Sequence, residues 1–99
     1  MNIERKDSEL EVTFVIMDEL VSGNINILAD EFNRFARTDT RDAVLDMTYV
    51  RKIDSMAIAA LIRFKNTLTE DNRTLSISNP NENVLRVLEL SGLEKFLLD

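Results

Sequence analysis

Two hydrophobic periods alternate along this 99-residue chain, and that alternation limits its folds more than any other feature. Leu10, Val12, Phe14 and Ile16 recur at every second residue with Glu11 and Thr13 between them, which predicts a half-buried strand over residues 8–17. Val15 breaks the polar side late, so the end of that strand is expected to be covered on both faces. From Asn24 the step lengthens to three and four. Ile25, Leu28, Phe32, Phe35 and Ala36 fall on one side of a helix of about three to four turns, with Asn24 as its cap.

The alternation continues. Residues 18–23 read as a turn in which Leu20 and Val21 form a short extended piece. Ala43-Val44-Leu45-Asp46-Met47 is apolar enough for a strand covered on both faces, and Tyr49, Val50 and Ile53 predict extended chain up to Asp54. A second helical pattern runs from there to about Thr69, and a third strand, carried by Leu75 and Ile77, ends at Asn79-Pro80 because proline cannot donate to the ladder. Residues 81–90 form a third helix with Val84, Leu85, Val87 and Leu88 inward and Ser91-Gly92 at its end. Leu93, Phe96, Leu97 and Leu98 make an apolar tail that is expected to pack on the rest. Strand and helix in strict alternation predict an α/β fold: a small mixed sheet with a parallel part, right-handed crossovers, and helices packed against it. A chain of this length has material for one core, so residues 1–99 are read as a single domain.

Composition closes off several function classes. Cysteine and histidine are both absent, which removes disulfides, thiol chemistry, the commonest general base and nearly every zinc or copper site. No loop carries the alternating acids of a magnesium or calcium site, so neither metal nor cofactor is expected. A formal charge of −6 argues against nucleic acid and anionic membrane as partners. Met1-Asn2-Ile3-Glu4-Arg5-Lys6 has no apolar signal core, and no apolar run approaches the roughly 20 residues of a membrane span, so a cytoplasmic protein is expected.

The informative stretch is Ile53-Asp54-Ser55-Met56-Ala57-Ile58-Ala59-Ala60-Leu61-Ile62-Arg63-Phe64. Asp54 and Ser55 stand where a strand passes into a helix, and either could cap it for about 1 kcal/mol. Ala57, Leu61, Phe64 and Leu68 supply the stripe that a helix lying on a sheet needs, widened by Met56 and Ala60. Ile58 and Ile62 lie to one side of that stripe. All seven residues from Met56 to Ile62 are apolar, so the first two turns carry either wholly buried side chains or apolar surface left for a partner. An enzyme would have to use Asp46 or Asp54 with Ser55 as nucleophile. No histidine is present to activate that hydroxyl and Lys52 is the nearby amine, so no catalytic residue is assigned.

These residues resemble the signature of STAS domains, the fold of bacterial anti-sigma-factor antagonists, in which Asp-Ser-x-Gly-[Leu/Ile] opens a helix after a strand. The match here is Ile53-Asp54-Ser55-Met56-Ala57-Ile58, supported by Ser78-Asn79-Pro80-Asn81 before the third helix and by Leu88-Glu89-Leu90-Ser91-Gly92-Leu93 at its end. The sequence departs from the family at Ala57, where a glycine is usual, at Asp18-Glu19-Leu20-Val21, which stands for Gly-x-[Leu/Ile]-Asp, and at Asp99, short of the family's usual last helix. The resemblance implies a phosphorylation switch with Ser55 as acceptor and Asp54 orienting it. The unphosphorylated form would bind a serine kinase of the ATP-binding switch type that is also an anti-sigma factor, through Asp54, Ser55, Met56, Ala57, Ile58, Ala59 and Ile62. A PP2C-type phosphatase would reset the switch. The alternative within the same fold is a scaffold or adaptor never modified at Ser55, serving in a stress-signalling or lipid-transport complex.

Overall fold

The computed structural model describes residues 1–92. Its elements, in chain order, are β1 (Ile3–Asp7), β2 (Glu11–Ile16), α1 (Ile25–Thr38), β3 (Asp42–Asp46), α2 (Ser55–Glu70), β4 (Leu75–Ser78) and α3 (Glu82–Leu90). The apolar tail beyond Gly92 lies outside the described residues.

The strands form one four-stranded sheet in the order β1-β2-β3-β4, with β1 antiparallel to β2 and the other two pairings parallel. Register explains the core. Val12 sits beside Ala43 and Ala43 beside Leu75, while Phe14 sits beside Leu45 and Leu45 beside Ile77, so one face of the sheet is continuously apolar and buried. The opposite face carries Thr13, Val44, Asp46, Ser76 and Ser78, all only half-buried. The expectation that β3 is covered on both faces is therefore corrected: only its Ala43 and Leu45 side is sealed. Val15, by contrast, is buried as its place in the sequence predicts.

The crossovers from β2 to β3 and from β3 to β4 advance in the same direction across the sheet. Right-handed connections then put α1 and α2 side by side on one face. Phe32 of α1 and Phe64 of α2 meet there, buried among Leu28, Phe35, Leu61 and Leu68.

Strand β1 is absent from the sequence reading because its five residues include one apolar side chain. It forms by pairing with β2, and Arg5 spans its inner side with the guanidinium 5.9 Å from the Phe14 ring centroid and 5.8 Å from that of Phe35. Leu10, expected in the core, is 78% exposed because the chain is still turning there and β2 begins at Glu11. Residues 47–50 form a turn closed by the Val50 N–H on the Met47 carbonyl, not the extended chain expected.

Arg73 is the buried charged residue of the core, 6% exposed. Its guanidinium stands 4.9 Å from the Phe35 centroid and donates to the carbonyls of Arg41 (2.9 Å) and Ala36 (3.0 Å) and to the Asp71 carboxylate (3.3 Å). It thereby joins the end of α1 to the start of β3 and β4.

Candidate functional site at the start of the second helix

Ile53 forms a single parallel bridge with Leu20, and this bridge brings the β2–α1 loop against the chain that enters α2. The Leu20 N–H donates to the Lys52 carbonyl (3.0 Å) and the Asp54 N–H to the Leu20 carbonyl (3.1 Å). The short extended piece expected at Leu20 is present, reduced to this one bridge.

Asp54 is the cap of α2. Its backbone is extended (φ −114°, ψ 178°), and its Oδ1 accepts the Ala57 N–H at 2.9 Å, one of the donors that a helix start leaves unpaired. The other oxygen, Oδ2, accepts the Ser22 N–H at 2.8 Å. Those two bonds, Ala57 first, hold the Asp54 carboxyl below its ordinary range, with smaller help from the Met56 N–H and the charge of Lys52. One carboxylate thus caps a helix and fastens a loop 32 residues away in sequence.

Because Asp54 performs the capping, Ser55 is left as the first helical residue with an exposed side chain. Met56 follows at 57% exposure, so it faces outward and does not widen the core stripe as its apolar character suggests. Ala59 and Ile62 are half-buried. Ala57 and Ile58 are buried, at 0% and 7%, and cannot offer their side chains to a partner. The reason for Ile58 is angular. At about 100° per residue it lies some 60° from Leu61 on the same flank as Lys65. Lys65 Nζ donates to the Leu75 carbonyl (3.1 Å), so that flank leans over β4. The buried arc is wider than the four-residue stripe implies.

The neighbouring loops add residues that the sequence did not mark as part of a site. Asn24 was expected to cap α1, yet it makes no side-chain cap bond. It braces the loop before the helix, accepting the Val21 N–H (3.1 Å) and donating to the Glu19 carbonyl (2.7 Å). Tyr49, 55% exposed, and Met17, 44% exposed, line an open groove of about 400 Å³ with Asp18, Glu19, Thr48 and Arg51. The groove opens beyond the carboxyl ends of β2 and β3, where open α/β sheets usually bind their ligands. Tyr49 was hidden from sequence reasoning by the turn, which reverses the inward direction that extended chain would have given it.

The two carboxylates considered for catalysis both have structural work. Asp46 Oδ1 accepts the Thr48 hydroxyl (2.6 Å), the Thr48 N–H (3.0 Å) and the Asn79 amide (3.3 Å), fixing the exit from β3. Asp54 is committed as described. Among the described residues no group of three potential ligands could hold a metal ion, and no helix is long and apolar enough to cross a membrane.

No curated protein sequence matches the chain significantly. Solved structures do. A Thermotoga maritima protein described as an anti-sigma factor antagonist superposes with a TM-score of 0.88 at 21% identity, over 97% of this chain and 83% of that one. The anti-sigma factor antagonist SpoIIAA in its unphosphorylated form gives 0.83 at 15% identity, over 99% and 87%. The murine Slc26a9 anion transporter gives 0.75 at 20% identity, over 91% of this chain but 15% of the transporter. At these identities the likeness establishes the fold. The family model described as the STAS domain matches residues 1–98, and the chain belongs to that family.

Proposed function

We propose that this protein is an anti-sigma-factor antagonist controlled by phosphorylation at Ser55. The observation that carries the reading is the division of labour at the start of α2: Asp54 makes the cap, and Ser55 stands exposed beside it. A serine that capped its own helix would be tied to the backbone. This one is available to a kinase.

In the unphosphorylated state the protein binds an ATP-dependent serine kinase that is also an anti-sigma factor, and a PP2C-type phosphatase regenerates that state. The docking surface is Ser55, Met56 and the accessible parts of Ala59 and Ile62, with Asp54 beneath. Phosphate brings about −1.5 to −2 charge to that surface, and about 1.4 kcal/mol of lost contact lowers affinity tenfold. The protein acts by binding, without catalysis of its own, in the cytoplasm. The likeness to SpoIIAA supports the reading, since that antagonist has this fold in both an unphosphorylated and a phosphorylated form.

A second reading, an adaptor never modified at Ser55, draws on the likeness to a domain of an anion transporter. Incubation with the candidate kinase and ATP, followed by mapping of the phosphate by mass spectrometry, separates the two. Phosphate on Ser55, with Ser55→Ala binding the kinase permanently and Ser55→Asp binding it poorly, supports the switch. Phosphate elsewhere, or none, leaves the adaptor.

A further inference from the structure

Strand β1 is attached differently from the other three. Of its five side chains Ile3 is half-buried and four are exposed, whereas Val12, Phe14 and Ile16 of β2 and Ala43 and Leu45 of β3 are buried. Strand β4, at the opposite rim, buries Leu75 and Ile77 and so can leave only with the core. Among the described residues β1 is held by its ladder to β2, by the partly buried Met1 and Ile3, and by charges at the hairpin end. There Arg41 donates to the Asp7 carboxylate (2.9 Å) and to the Ser8 carbonyl (2.8 Å), and Arg5 reaches the Asp39 carboxylate (3.4 Å). Asp39 and Arg41 lie between α1 and β3, so these three contacts clamp β1 to a different loop.

Opening β1 exchanges ladder bonds and solvent-touched ion pairs for bonds to water, and each exchange costs little. Little apolar surface leaves cover with it. What favours the closed state is the clamp together with the Arg5 guanidinium, which lies over the rings of Phe14 and Phe35. Both are interactions of charge near the surface. Salt weakens such contacts, because the screening length shrinks from about 10 Å at 0.1 M to about 3 Å at 1 M.

We propose that residues 2–8 form an ionically latched strap, which opens as one unit while β2, β3 and β4 stay folded, with Arg41 as its catch. Opening bares the backbone edge of β2 and the rims of Phe14 and Phe35, so exposure of that edge follows ionic strength. No residue of the α2 start takes part. The strap and the phosphorylation of Ser55 therefore stand or fall separately.

The test is amide hydrogen exchange of the full-length 15N-labelled protein, read by NMR at about 0.1 M and about 1 M sodium chloride. Two amides report the two ends of the strap: Ser8, which donates to the Glu11 carbonyl (2.9 Å), and Met17, which donates to the Asn2 carbonyl (2.9 Å). Two others report the pairing of β3 with β4: Ala43, which donates to the Thr74 carbonyl (2.9 Å), and Met47, which donates to the Ser78 carbonyl (2.8 Å). Ser8 and Met17 should be protected about tenfold less than Ala43 and Met47. At the higher salt both should exchange about threefold faster or more, by the same factor, with Ala43 and Met47 unchanged. Arg41→Gln should bring both strap amides to their high-salt rates at low salt. Acceleration of Ser8 without Met17 overturns the proposal, because it reports fraying at one end. Acceleration of all four amides, which reports general loosening, overturns it too, as does no response to salt. Should Arg41→Gln fail to fold, the salt comparison decides alone.

Discussion

Phe32 and Phe64 stack with ring centroids 4.4 Å apart and planes inclined by 25°, and this contact is where α1 meets α2. Both rings are almost fully buried, so each contributes its whole apolar area as well as the ring-on-ring term. Truncation of Phe64 to alanine should cost about 3–5 kcal/mol, and Phe64→Leu about 1–2 kcal/mol because most of the volume stays. Urea unfolding of the three proteins, with an unchanged denaturant slope, checks the order.

Met56 and Ile58 are two residues apart and belong to different surfaces of α2. Met56→Ala should weaken kinase binding at least fivefold while altering stability by less than about 0.5 kcal/mol. Ile58→Ala should do the reverse, costing about 2–4 kcal/mol of stability. Titration calorimetry beside thermal unfolding distinguishes the pair. Equal binding losses at matched folded fraction would move the docking surface elsewhere.

Arg73 donates to the carbonyl of Ala36 in α1 and to that of Arg41 in the loop before β3, and one ammonium cannot reach both in the same geometry. Arg73→Ala should therefore lose roughly 3 kcal/mol, and Arg73→Lys should recover less than half of that. The loss should appear first as faster amide exchange at the end of α1, around Asp39, whose N–H donates to the Phe35 carbonyl.

Among the described residues, four aspartates carry the acid response. Hydrogen bonds from Arg5 and Arg41 lower the carboxyl of Asp7, those from Arg41 lower Asp39 furthest, and the Thr48 and Ala57 bonds lower Asp46 and Asp54. Above the ordinary value of 3.8 these groups are ionised in both folded and unfolded chains, and their stabilisation is complete. Below it the unfolded chain takes up protons first, so stability falls with pH until the folded carboxyls are protonated in turn. The urea midpoint should stay flat from about pH 5 to pH 8, where no histidine titrates, and drop below about pH 4. Asp39→Asn should make the drop shallower.

Much of the fold was legible because its elements bury regular stripes. Val12, Phe14 and Ile16, then Leu28, Phe32 and Phe35, then Leu61, Phe64 and Leu68 are all in the core, where their spacing puts them. What escaped was decided by contacts remote in sequence. Strand β1 depends on pairing with β2 and on two aromatic rings beneath Arg5, none of which a charged pentapeptide announces. That Asp54 or Ser55 caps α2 was legible, but the choice of Asp54 and its second bond to Ser22 were not, because nothing in either segment alone points to the other. Ile58 and Met56 look alike in a list of apolar residues, and only the flank leaning over β4 separates them.

Strand β1 has one further effect. Of its five residues, four carry charge, and it forms the outermost margin of the sheet. A second molecule adding a strand there would have to strip water from glutamate, arginine, lysine and aspartate in succession. At the other margin Lys65 already occupies the Leu75 carbonyl, and Pro80 follows soon after the strand ends. Both rims are therefore blunted against the addition of a further strand, β1 by charged side chains that would have to shed water and β4 by the Lys65 bond to the Leu75 carbonyl.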